Sequence, residues 1–192
     1  MLYEILISSF GGFIFLIPIL YFLVTKEEHS FNHSILLFVF GYYIMGVLTM
    51  TKITSLGSFA PRFNFIPFVD MIKGPVDTVL NIILFMPLGF FLPSLYQKYY
   101  SKQVVIFTAL LFSLTIECLQ MFGLGISDIN DLLTNVLGAY FGFLFYQKYP
   151  LILNQASCSK QKDAFKEVAF ILIFSFIIML TLQPFAIAWW LS

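Results

Sequence analysis

Acidic and amide side chains occur at similar places in three long apolar stretches of the sequence. They are Asn81 in the first stretch, Glu117 and Gln120 in the second, and Asp128, Asp131 and Asn135 around the start of the third. An ionisable side chain inside a membrane span is costly, so a functional role is its default interpretation. Carboxylates transfer protons, and amides hold polar groups by hydrogen bonds. We therefore expect catalytic roles for Glu117, Asp131 and Asp128, and substrate binding by Asn81, Gln120 and Asn135.

A structural explanation competes with this one at each position. An acid that precedes or opens a helix, as Asp128 and Asp131 do, is an ordinary N-terminal cap and dipole partner. Capping accounts for one of these two acids, but not for the other or for Asn135. Glu117 is equally open to interpretation as a structural carboxyl, hydrogen-bonded across helices or kept neutral by desolvation. The combination of the four groups favours a site.

Arg62 is the only arginine of the chain and lies in a long connection on the same side as these acids. Its planar guanidinium can pair with Glu117 or bind a phosphate through two parallel hydrogen bonds, so we expect it to bind substrate. His29 and His33 are four residues apart but have no matching carboxylate cluster, and we expect no metal. The sequence contains no GxSxG, HExxH, P-loop or CxxC pattern, so a serine hydrolase, a zincin, a nucleotide-driven pump and a thiol redox protein lack support. We expect no cofactor.

The elements that must position these groups are membrane helices. Hydrophobic residues make up 60% of the 192 residues and charged residues only 10%, against about 25% charged in a soluble domain. We predict an all-α, polytopic transmembrane bundle of about six helices, a single membrane domain over 1–192 with the lipid bilayer as partner. Its apolar stretches predict transmembrane helices at 5–24, 34–50, 78–96, 104–122, 131–146 and 168–190. The net charge of zero leaves no basic excess for nucleic-acid binding.

Helix geometry places the polar groups at one depth. At about 1.5 Å rise per residue, Glu117 lies about 6–8 Å below the end of its helix. The third and fifth predicted helices begin at that same membrane level, which brings Asn81 and Asp131 to the same side. Asp128, Asp131 and Asn135 lie on one face of the fifth predicted helix, and deeper on the same face lie Gly138 and Gly142. The Gly138-x3-Gly142 spacing is typical of a close packing seam between helices.

Lysine and arginine positions predict the orientation, since cytoplasmic loops retain these residues. Seven of the ten lie in the first, third and fifth loops, and three lie on the opposite side, namely Lys52, Arg62 and Lys73. We therefore predict a multi-pass cell-membrane protein with both termini outside. The polar groups then face outward.

An internal repeat is also predicted. The sequences DTVLN at 77–81 and DLLTN at 131–135 are each followed by YQKY, at 96–99 and 146–149. In both cases the next helix contains Phe-Ser ahead of Leu-Gln-x-Phe. Two parallel hairpins related by an axis along the membrane normal give this order of landmarks. Chance similarity between Phe-rich helices is the competing explanation.

Three segments in a fixed order carry a family resemblance. They are NIILFMPLGFF at 81–91, ECLQ at 117–120 and DINDLLTNVLG at 128–138. This combination resembles the VanZ-like membrane proteins over about residues 63–146. The family's motif positions fall on Asn81, Pro87, Gly89, Glu117, Gln120, Asp128, Asp131, Asn135 and Gly138. Asn130 stands where the family usually has an Asp, and no arginine precedes Asp128; fewer charges argue against a metal site.

The resemblance implies a bacterial integral membrane protein associated with low-level resistance to teicoplanin and related lipoglycopeptides. Three kinds of function remain open: a resistance factor acting on a cell-envelope component, a membrane enzyme using carboxylates on a lipid-linked sugar or phosphate, and a small proton-coupled transporter. The expected ligand is a lipid-linked envelope precursor or a lipoglycopeptide. A transporter needs polar residues that continue inward, whereas below Asn81 and Asn135 the sequence turns to Gly, Phe and Leu.

Overall fold

Five helices form the described part of the chain. The computed structural model describes residues 31–51, 63–64, 74–121, 127–149 and 164–191. The helices are α1 (Phe31–Met50), α2 (Pro75–Leu95), α3 (Lys102–Gln120), α4 (Ile129–Lys148) and α5 (Ala164–Leu191). A 3₁₀ helix, Gln97–Tyr100, joins α2 to α3, and β1 (Phe63–Asn64) pairs in parallel with β2 (Ser127–Asp128). Apart from this two-residue pairing, the described residues are helical or in short connections, so the predicted all-α class is confirmed.

The chain divides into two compact units. The first comprises Met1–Leu56 and Lys162–Ser192, and the second comprises Gly57–Gln161. In the first unit α1 packs against α5, and in the second unit α2, α3 and α4 pack together. The polar residues of the three motif segments all belong to the second unit. The single membrane domain over 1–192 and the repeat of two hairpins stay predictions.

Four of the described helices are long and apolar enough to cross a bilayer. These stretches are His33–Met50, Pro75–Leu95, Lys102–Gln120 and Ala164–Thr181, at the places of the predicted spans 34–50, 78–96, 104–122 and 168–190. The predicted span 131–146 is the 20-residue helix α4, which is less apolar because its first two turns contain Asn130, Asp131, Thr134 and Asn135. The predicted span 5–24 lies outside the described residues. The count of six therefore stays a prediction.

The outer face of α3 is apolar, and its buried face contains polar side chains among apolar ones, unlike a typical surface helix of a soluble protein. Its exposed large side chains are Phe107, Leu110, Leu111 and Leu114. Thr108, Ser113 and Glu117 are buried instead. Lipid tails accept an apolar outer face, while intramembrane polar groups are satisfied between helices. The pattern is that of a helix whose outer face meets lipid.

Helices α2 and α4 run parallel and cross at very short distance. Their starts are joined by a bond between Asn81 and Asp131, and their ends by contact between the rings of Phe90 and Tyr146. A Cβ atom on Gly142 would overlap the carbonyl oxygen of Met86. The same holds for Gly138 against Ile82 and for Gly89 against Ala139. The predicted Gly138-x3-Gly142 packing seam is confirmed, and α4 meets α2 through it.

Candidate functional site

Asp128 is the N-terminal cap of α4. Its backbone is extended, with φ −123° and ψ 124°. Its Oδ1 accepts hydrogen bonds from the backbone N–H and the side-chain Nδ2 of Asn130, both at 2.8 Å. Asn130 is itself buried. Capping therefore accounts for the Asp128 carboxylate. It is the one of the two acids, Asp128 and Asp131, that capping explains.

Glu117 joins the end of α3 to the start of α4. Its side chain is only 4% exposed, and its Oε2 accepts a hydrogen bond of 2.9 Å from the backbone N–H of Asp128. The first N–H groups of a helix lack partners within the helix and carry partial positive charge. The α4 terminus therefore stabilises a carboxylate that would otherwise be costly to bury.

Asp131 and Asn81 join α4 to α2. The Nδ2 of Asn81 donates a hydrogen bond of 2.7 Å to Oδ1 of Asp131. Both residues are half-buried, whereas Asp77, one turn before Asn81 on α2, is exposed. An amide donor is the partner that suits an ionised carboxylate, which only accepts hydrogen bonds. This second acid lies beyond the cap and is not needed for capping.

Asn135 lies one helical turn below Asp131 and contacts α3. Its Nδ2 donates a hydrogen bond of 2.9 Å to Oγ of Ser113, and both residues are buried. Ser113 is in turn one helical turn below Glu117. Within the described part of the chain, no hydrogen-bond donor reaches the buried Oδ1 of Asn135. The amide therefore retains an acceptor that can take a further donor.

Five of the seven predicted site residues take part in these bonds between α2, α3 and the start of α4, and we call them the polar network: Asn81, Glu117, Asp128, Asp131 and Asn135. Gln120, the last residue of α3, is half-buried. Arg62 lies outside the described residues. The backbone of the following residue, Phe63, pairs with Ser127, and Asn64 pairs with Asp128. The pairing brings the long connection after α1 to the start of α4.

Ser113 and Asn130 bond to members of the polar network, although no role is assigned to them from the sequence. A signal for Ser113 exists, because it lies four residues before Glu117 and shares its helix face. Asn130 is noticeable only as a departure from the family pattern. Its bonds to Asp128 depend on the local turn before α4, and residue type alone does not fix such a turn.

The polar network is rich in acceptors and negative charge. Asp128 and Asp131 lie within one turn of each other, and Glu117 faces the same terminus. Such carboxylates are suited to exchanging protons or to receiving the donors of a polar ligand. Among the described residues, no three His, Cys, Asp or Glu side chains lie close enough to hold a metal ion.

Comparisons with known proteins match the region that contains the network. The sequence model of the VanZ/LLP1 family matches residues 13–154. A curated relative, Protein VanZ of Enterococcus faecium, is 27% identical over 143 residues, which cover 74% of this chain and 74% of that protein. No solved structure matches the chain.

Proposed function

Because the chain belongs to the VanZ/LLP1 family, we propose that it contributes to resistance against teicoplanin-type glycopeptides. In this proposal the polar network faces outward and acts on a cell-envelope component, either a lipid-linked precursor or the lipoglycopeptide itself. The family match, the similarity to Protein VanZ and four helices able to span a bilayer support a multi-pass membrane protein.

The hydrogen bond from Asn81 to Asp131 is the main support for this proposal. Asp128 is accounted for as the N-terminal cap of α4, and Glu117 accepts a hydrogen bond from its backbone N–H. Asp131 lies in the first turn of α4, where the helix dipole favours an acid, but capping does not need it, and the dipole does not explain its bond to the half-buried Asn81. An accessible carboxylate with a fixed orientation, close to two other acids, is the arrangement expected of a binding or proton-transfer group.

Glu117 and Asp131 are the proposed acid–base pair, and Asp128 supports them. Asn81 orients Asp131, while Gln120 and Asn135 offer further hydrogen bonds to a ligand. Below them α4 lies directly on the backbone of α2 through Gly138 and Gly142. This packing supports a site that opens to one side and speaks against a transport path between these two helices.

The second candidate function is a membrane enzyme acting on a lipid-linked sugar or phosphate. The pairing of β1 with β2 favours it, because the residue after Arg62 lies beside the start of α4. Arg62 is then the proposed phosphate-binding group. Arg62→Lys should abolish function if the phosphate needs the two parallel hydrogen bonds of a planar guanidinium. It should preserve function if only the positive charge matters.

The test is resistance in a susceptible Gram-positive host that expresses the full chain. We expect the minimum inhibitory concentration of teicoplanin to rise with the native chain and to fall to the empty-vector value with Glu117→Gln at equal membrane abundance. Asp77→Asn is the matched control, since it removes one charge from an exposed position. If the native chain reaches the membrane without raising that concentration, the proposal is wrong. If Glu117→Gln retains full resistance, its acid–base role is wrong.

A further inference from the structure

The charged side chains of the second unit are divided between the two ends of its helices. Within the described residues of that unit, the acids at one end are Asp77, Glu117, Asp128 and Asp131, and the lysines at the other end are Lys98, Lys102 and Lys148. Along α3 about 22 Å separate Lys102 from Glu117, at about 1.5 Å per residue. That length approaches the hydrocarbon thickness of about 30 Å. The three lysines, here called the lysine patch, therefore lie at the opposite end of these helices from the polar network, where the other bilayer surface is expected.

A repeated tetrapeptide builds this end of the unit. Tyr-Gln-Lys-Tyr occurs at 96–99, where α2 ends, and at 146–149, where α4 ends. Since α2 and α4 run parallel, both copies lie at the same end. The ring centroids of Tyr100 and Tyr146 are 6.1 Å apart. This contact joins the 3₁₀ helix that carries Lys98 to the last turn of α4 that carries Lys148.

Aromatic rings hold two of the lysine ammonium groups. The Nζ of Lys102 lies 5.9 Å from the ring centroid of Tyr140, and the Nζ of Lys148 lies 5.6 Å from that of Tyr149. Both distances fall within the range of about 6 Å for cation–π attraction. All three lysines are exposed. The three positive charges therefore lie on the exposed surface at this end of the helices, two of them beside aromatic rings of α4 and its C-terminus.

The helix dipole explains only part of this arrangement. Lys148 occupies the last turn of α4, where a cation is favourable. Lys102 opens α3, where the dipole opposes a cation, and Ser101 before it makes no side-chain cap bond. The positive end of α3 therefore adds to the charge of the lysines. An anion at this place relieves the repulsion.

We propose that the lysine patch binds the phosphate of an acidic phospholipid from the surrounding leaflet. The patch supplies charge at headgroup depth, where a lipid phosphate lies. Next to it, the outer face of α4 presents exposed apolar side chains at Phe141, Leu144 and Phe145, which suit the acyl chains of the same lipid. A zwitterionic lipid offers these acyl contacts but no net charge. The patch is thus selective for a headgroup of net negative charge.

The test compares two lipids on the purified full-length protein in mild detergent. Phosphatidylglycerol and phosphatidylcholine with identical acyl chains are added in equal amounts, and the bound lipids are counted by native mass spectrometry. We expect a preference for phosphatidylglycerol of about tenfold or more, since each lysine near the surface adds to the attraction. Equal binding of the two lipids by the native protein would overturn the proposal.

Three variants separate a built site from general charge attraction. Lys98, Lys102 and Lys148 are changed together to Gln, which should bring the preference close to parity, or together to Arg, which should retain it. The matched control changes Lys160, Lys162 and Lys166 to Gln, removing three positive charges elsewhere, and should leave the preference unchanged. An equal loss in both Gln variants overturns the proposal. So does displacement of the lipid by millimolar inorganic phosphate, because the patch would then be a site for the free anion.

Discussion

Residue types and positions predict the depth of the polar side chains but not their bonding partners, as Asn81, Asp131 and Glu117 show. Their sequence positions predict that they lie at one end of three helices, and the structure brings them there. The choice of partners does not follow from the sequence. Glu117 accepts a hydrogen bond from the backbone N–H of Asp128, and Asp131 accepts one from the side chain of Asn81. These partners depend on the rotation of α4 against α2, which the glycines deeper in the interface fix. Their roles in binding or catalysis stay predictions.

Ser113 provides a test of the buried part of the network. Ser113→Ala should destabilise the protein by about 1–3 kcal/mol, because Nδ2 of Asn135 loses its hydrogen bond in a buried position. For a chain of this size that corresponds to a lowering of the melting temperature by about 2–4 °C per kcal/mol. The measurement is the thermal unfolding of the purified protein in detergent.

Thr115→Ala is the control for this prediction. Thr115 is exposed on the same helix, and its hydroxyl bonds to the backbone carbonyl of Leu111. We expect its loss to change stability by less than about 0.5 kcal/mol. Equal destabilisation by both variants would mean that the bond from Asn135 to Ser113 contributes nothing specific.

Helix boundaries depend on capping and first-turn residues, which a hydropathy pattern does not detect. The apolar pattern predicts that a helix begins at 78, whereas α2 begins at Pro75, a residue suited to the first helical turn. It predicts a start at 131, whereas α4 begins at Ile129 after the Asp128 cap. The pairing of Phe63 with Ser127 has no local signal, because it joins segments far apart in sequence. Hydropathy therefore predicts these elements well, and their ends and long-range pairings poorly.

Gly142 tests the packing of α2 against α4. Gly142→Ala should destabilise the second unit by about 1–3 kcal/mol, because its Cβ would overlap the carbonyl oxygen of Met86, part of a backbone that cannot easily move. The melting temperature in detergent and the membrane abundance should both fall. Since the seam holds Asn81 against Asp131, resistance should fall with them.

Gly46→Ala is the matched control on α1. A Cβ at Gly46 would meet no atom within 4 Å, and alanine favours a helix by up to about 1 kcal/mol over glycine. We expect unchanged or raised stability. A destabilisation as large as that of Gly142→Ala would show that the cost arises from something other than the α2–α4 contact.

The distribution of acidic and basic side chains predicts how the chain crosses the bilayer. The described acids of the second unit lie at one end of its helices and the described lysines at the other, and these lysines are among the seven counted in the first, third and fifth loops. Cytoplasmic loops retain lysine. The lysine patch should therefore face the cytoplasm and the polar network the outside.

Reporter fusions measure this orientation. An alkaline phosphatase fused after Ser192 should be active, because both termini are predicted outside, and one fused after Lys160 should be inactive. Fluorescent protein fusions at the same two positions should give the opposite result. A cytoplasmic signal after Ser192, or an external one after Lys160, would reject the predicted topology.

We propose that Asp131 acts as a functional carboxylate and not only as the partner of Asn81. The measurement is the teicoplanin inhibitory concentration, at equal membrane abundance, of a double variant that exchanges the two residues, Asn81→Asp with Asp131→Asn. The exchange keeps one amide and one carboxylate in contact across α2 and α4, so a purely structural pair is restored. We predict that the double variant is as abundant as the native protein and confers no resistance. Full resistance from the exchanged pair would show that Asp131 is needed only as the partner of Asn81, and its proposed functional role would be wrong.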